Sequence, residues 1–222
     1  MELPFDADQF LRLFAAYNSA VWPFQFVIVG VALAALYFAM RPGARSERSP
    51  AFLLAALWVW SGVVYHLMFF RQINSAAILF GALFLSQAVL LMALARRRRL
   101  RLRFSRSLAG WSGATLIAYA LIVYPILGAL LGHTYPATPT FGAPCPVTIF
   151  TFGLLLWNVE RTPWYAFGIP VLWSLVGSSA IITLGMREDL GLPVAAAITL
   201  AVLVAGHVRS RQRTVHELQA ST

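Results

Sequence analysis

The sequence predicts an all-α fold: a polytopic transmembrane helical bundle of about seven spans, preceded by an amphipathic helix lying at the interface. Three observations carry this expectation. Hydrophobic residues make up 59% of the chain and charged residues 11%, with mean hydropathy +0.73, whereas soluble domains carry about a quarter charged residues. Apolar segments recur along all 222 residues with only short polar connectors between them. The basic residues, every one an arginine, cluster at the ends of those segments, where membrane proteins keep them. Residues 1–222 read as one membrane domain: an interfacial helix over 1–20, a bundle over 21–208 and a cytoplasmic tail over 209–222.

The first stretch, MELPFDADQFLRLFAAYNSA, lacks the basic leader, continuous apolar block and small-residue cleavage site of a signal peptide. Asp6 and Gln9 have capping-box spacing, and Phe10, Leu13, Phe14 and Tyr17 recur at helical intervals, as expected of a surface helix. Spans follow at roughly 21–40, 51–70, 76–95, 108–131, 146–159, 164–186 and 193–208. The fifth is short, because VTIFTFGLLLW offers 11 uninterrupted apolar residues, about 16 Å of helix against about 30 Å of hydrocarbon. It is either a short span or a re-entrant segment.

Charge chooses an orientation. With seven crossings and the N-terminus outside, Arg41, Arg45, Arg48, the run Arg96, Arg97, Arg98, Arg99, Arg101, Arg103 and Arg106, then Arg161, Arg209, Arg211 and Arg213 all lie inside. Only Arg12, Arg71 and Arg187 lie outside. A re-entrant fifth segment spoils this asymmetry, so seven crossings fit the positive-inside rule better. The run from Arg96 to Arg106 reads as a membrane anchor against anionic phospholipids at the cytoplasmic face. Lipid bilayer and a homo-oligomer are the candidate partners, and nucleic acid is not among them. Faint echoes also recur: WSG at 60–62 and 111–113, and FGALFL at 80–85 against FGLLL at 152–156. Close helix packing explains such small residues more simply than duplication does.

Titratable groups inside a membrane are costly and usually functional. All eight carboxylates fall outside the spans or at their ends, so no buried carboxylate relay is expected. His66 lies well within the second span, in its outer third. The connector GHTYPATPTFGAPCP, residues 132–146, holds His133, the single Cys145 and four of the twelve prolines. Topology brings this connector to the same side as His66 and as Glu188 and Asp189. Pro146 would open the following helix, placing Cys145 at its cap, where the helix dipole favours thiolate.

The absence of lysine removes Schiff-base and P-loop chemistry, and with it an opsin. GWSG at 110–113 matches a rhomboid-protease pattern, but Ser112 follows the arginine-rich inner loop. At VVYHLMFFRQIN, GHTYPATPTFGAPCP and REDLGL the chain resembles an uncharacterised family of bacterial multi-pass membrane proteins, catalogued only as a domain of unknown function. That resemblance extends over nearly the whole chain and implies a bacterial inner-membrane location and one domain, but no activity.

The leading functional expectation is an outward-facing polar pocket that binds, or binds and transports, a soft or borderline metal ion or a small ligand. His66, His133 and Cys145 are the candidate metal ligands. Glu188, Asp189, Tyr65, Asn74 and Tyr124 are the candidate ligand-binding residues. A transition-metal ion is the candidate cofactor, with b-type haem between His66 and His133 as the alternative. A third reading is a non-catalytic subunit or assembly factor whose loop docks a partner. No second catalytic group is fixed beside Cys145, so the balance is against an enzyme.

Overall fold

The computed structural model describes residues 4–41, 43 and 46–220, with side chains as far as 208. Glu2 and Arg45 lie outside the described residues, as do the side chains of Arg209, Arg211, Arg213, Glu217 and the rest of the predicted tail. The described chain is helical, with no β-strand. Helix α1 spans Ala7–Val21 and α2 Phe24–Met40. Helix α3 runs from Ser49 to Gln72 and widens into a π-helical stretch at Ser61–Phe69. Helices α4 (Ala77–Arg96), α5 (Leu108–Leu130), α6 (Pro144–Leu155), α7 (Trp164–Thr183) and α8 (Gly191–Ala220) complete it.

Each predicted apolar segment has its helix, but length separates them. Five helical stretches are long and apolar enough to cross a membrane, or six if α1 and α2, bent by 86° at their junction, count together. Two of the seven expected segments fall short of that length. Helix α2 has 17 residues and α6 has 12, about 18 Å of rise for α6.

Helix α6 nevertheless joins opposite ends of the bundle. The 20 residues of α4 set those ends about 30 Å apart, with Asn74 at one and Arg96 at the other. Helix α6 starts beside Asp189, and just past its end Asn158 takes a hydrogen bond from the Arg101 amide at 2.8 Å and donates to the Arg99 carbonyl at 3.0 Å. Every residue of α6 except Cys145 is buried, and it packs against α3, α5, α7 and α8. Protein, not solvent or lipid, surrounds it. Thr148 and Thr151 bond back to carbonyls four residues earlier, and Thr151 also accepts the Trp58 indole N–H at 2.8 Å.

At the arginine-rich end, the segment after α4 is extended. Leu102 and Phe104 donate to the carbonyls of Glu47 and Ala39, and Arg103 to that of Trp157. Two arginines of the run also make contacts within the protein. Arg101 and Arg103 turn inward onto Glu47, at 2.7 and 3.2 Å, and Glu47 itself is buried. Arg103 stays exposed despite that pairing, as do Arg96, Arg97, Arg98, Arg99 and Arg106.

The two sequence echoes are two helix crossings. A Cβ at Gly113 would lie 2.5 Å from the Gly153 carbonyl oxygen, and one at Gly153 2.7 Å from that of Gly113. Gly62 and Gly81 approach in the same reciprocal way, at 3.3 and 3.2 Å. GWSG is therefore a packing device, as its other glycine confirms: the Gly110 carbonyl accepts the Trp157 indole N–H at 2.8 Å.

Candidate functional site

At the end opposite the arginines lies a cavity of about 110 Å³, and the connector 132–146 forms part of its wall. Asn18, fully buried on α1, holds that connector by donating to the carbonyls of Pro136 and Thr138, both at 2.7 Å, and accepting from Thr140 at 2.7 Å. The Ser61 hydroxyl donates to the Gly142 carbonyl at 2.8 Å, where φ of +110° suits glycine. The loop is fixed from two helices as well as by its own prolines.

Helix α1 has the predicted capping box, with Gln9 N–H to Asp6 at 2.7 Å and Asp6 N–H to Gln9 at 3.1 Å. Its apolar face does not lie on a membrane surface as expected. Phe10, Leu13, Phe14 and Tyr17 are buried against Tyr65, Phe69 and Phe70 of α3. Phe5, Phe10 and Phe14 form one wall of the cavity. Helical spacing identifies an apolar face but not what covers it.

The polar corner of the cavity comes from three elements. Cys145, in the first turn of α6, lines the cavity together with the Asp189 carboxylate. Tyr124, from α5, donates to the same carboxylate at 2.6 Å. Asp189 belongs to a 3-10 turn, Arg187–Leu190, that leads into α8. The expectation of Cys145 at a cap is corrected, since Ala143 is the N-cap and Pro144 opens the helix.

Beside this corner, His133 Nδ1 meets Glu188 Oε1 at 2.8 Å, and Tyr119 donates to the Glu188 carbonyl at 2.8 Å. Glu188 and Asp189, expected to border the pocket, are 0% and 2% exposed. They stand at the end of a span in sequence, but the 3-10 turn tucks both side chains under the connector. Asp189 takes part in no ion pair among the described residues. Tyr65 and Asn74 also line the cavity, and Asn74 accepts the Ala76 amide at the start of α4.

His66 is elsewhere. Its ring is fully buried among Phe70, Phe80, Phe84 and Trp173, with centroids 4.7 to 5.9 Å away. Neither ring nitrogen has a hydrogen-bond partner, and the residue does not line the cavity. The proposed trio of His66, His133 and Cys145 therefore does not converge. Among the described residues no group of three or more His, Cys, Asp or Glu is placed to hold a metal ion. Haem fits no better, because one imidazole is engaged with Glu188 and the other is sealed among aromatic rings.

The residues missed by sequence reasoning are apolar: Phe5, Phe10, Phe14, Phe70, Phe80 and Trp173 wall the cavity. Fold and site together define a helical bundle, with helices long and apolar enough for a membrane, that holds one small aromatic-walled cavity with a carboxylate in its floor. The chain belongs to a family of unknown function, DUF6064, which it matches over residues 7–214. No curated protein and no solved structure matches it.

Proposed function

We propose that this chain is a bacterial inner-membrane protein, one domain with its N-terminus outside, whose outward-facing cavity binds a small organic cation. Five long apolar helices support the bilayer. The arginine asymmetry supports the orientation. It favours a crossing by α6, whose two ends meet opposite ends of the bundle.

One observation carries the ligand reading: a buried carboxylate without an ion-pair partner faces a cavity walled by aromatic rings. A buried carboxylate is costly unless its charge is met. Aromatic faces attract cations by about 0.5 to 2 kcal/mol when desolvated. An ammonium group between them satisfies both at once. At about 110 Å³, the space is smaller than the apolar cavity of about 150 Å³ that holds benzene, which limits the occupant to a small cation. Further along α6 toward the opposite end of the bundle, Ile149, Phe150 and Phe152 are 0% exposed. This favours binding over passage.

Cys145 supplies the test, since it is the sole thiol and borders the cavity. Small methylated ammonium ions should slow its alkylation by a small uncharged reagent, whereas neutral tert-butyl analogues should not. Asp189→Asn should remove the protection. Equal protection by charged and neutral analogues, or none by either, would sink the cation reading.

A further inference from the structure

A second hollow lies at the opposite, arginine-rich end, where the end of α6, the start of α7 and the face of α8 enclose a groove of about 670 Å³. Its lining combines three kinds of side chain: apolar Leu156, Val202 and Leu203, aromatic Trp164 and Tyr165, and basic Arg99, Arg161 and His207. Trp164 is 82% exposed, too much for a large aromatic that serves only the protein's own packing. The one carboxylate at the rim, Glu160, is drawn toward Arg101 at 3.8 Å. A smaller hollow lined by Arg48, Arg98, Arg101 and Glu160 adjoins it and adds positive charge.

We propose that this groove is a binding site for one anionic phospholipid, its phosphate between Arg99 and Arg161 and an acyl chain along Leu156, Val202 and Leu203. Basic, aromatic and apolar side chains in one groove are the three kinds of surface a lipid meets between headgroup and hydrocarbon. A free phosphate would use the arginines alone and leave the apolar lining bare, so the lipid is the occupant the whole groove fits. The site is distinct from a diffuse anchor. Arg96 and Arg97 are exposed at the same end but do not line the groove, while Arg161 lies far from the run in sequence. The inference rests on the bilayer placement proposed above and not on the cation cavity.

Tryptophan quenching in lipid nanodiscs tests it. Brominated phosphatidylglycerol and brominated phosphatidylcholine are compared at equal mole fraction, and the Trp164 share is the part lost in Trp164→Phe. That share should be quenched more by the anionic lipid. The preference should weaken roughly fivefold for each of Arg99→Gln and Arg161→Gln and persist in the Arg96→Gln/Arg97→Gln double variant. Equal quenching by both lipids would overturn the site. So would loss of the preference in the Arg96/Arg97 variant, which marks a general charge effect, or its removal by millimolar inorganic phosphate, which marks an ion site. Absence of quenching by either lipid would instead refute the bilayer placement itself.

Discussion

His66 and His133 look alike in sequence, two rare imidazoles brought to one end by topology, yet their surroundings give them opposite energetic roles. His133 satisfies one oxygen of a buried Glu188 whose other oxygen, Oε2, has no partner. His133→Ala leaves that carboxyl stranded, at a cost of about 1 to 3 kcal/mol for an unmade hydrogen bond and about 3 to 5 where the pair is ionic. His66 makes no hydrogen bond from either nitrogen, so His66→Leu removes an unsatisfied polar ring from an aromatic cage. Thermal unfolding in detergent should show a lower midpoint for His133→Ala and an unchanged or higher one for His66→Leu. A large loss on His66→Leu would mean that the imidazole has a partner this packing does not show. The difference was not legible in the sequence. Connector residues such as His133, Cys145, Glu188 and Asp189 are confined to one end by topology alone, whereas a mid-helix residue can face any neighbour.

At the scale of elements, the apolar segments were legible to within a few residues because continuous hydrophobicity is a strong signal. The π-helical stretch in α3 left no comparable mark. The WSG and FG echoes were visible, and their meaning is the pair of glycine crossings. These two crossings should not respond equally to a methyl group. At Gly113 the added Cβ meets a backbone carbonyl at 2.5 Å, which cannot move without separating α5 from α6. At Gly62 the nearest atom stands at 3.1 Å, within reach of a small shift. Gly113→Ala should therefore destabilise by about 1 to 3 kcal/mol or more through overpacking, and Gly62→Ala by clearly less. Equal unfolding midpoints for the two variants would show that the α5 and α6 contact relaxes freely. Helix α1 illustrates the opposite limit: its amphipathic pattern was read correctly, but its cover, the aromatic cluster of α3, is a long-range contact no local pattern contains.

For the whole molecule, the buried α6 links the cation cavity to the lipid groove, and its direction fixes which membrane face each would meet. Cysteine labelling separates the possibilities. In a Cys145→Ser background, cysteine is placed singly at Thr134 in the connector, Ser105 in the arginine-rich segment and Val159 just beyond α6, all exposed positions. Treating intact cells with a membrane-impermeant maleimide should label the Thr134 site alone, with Ser105 and Val159 reacting only after permeabilisation. Labelling of both Thr134 and Val159 from outside would make α6 re-entrant. That outcome would separate Val159 from Ser105, although the Val159 amide bonds to the Arg101 carbonyl at 2.9 Å within the same extended segment as Ser105. Such close pairing across a bilayer is physically excluded. Labelling of Ser105 and Val159 without Thr134 would keep the fold and invert it, placing the carboxylate-floored cavity toward the cytoplasm and seventeen arginines largely against the positive-inside rule.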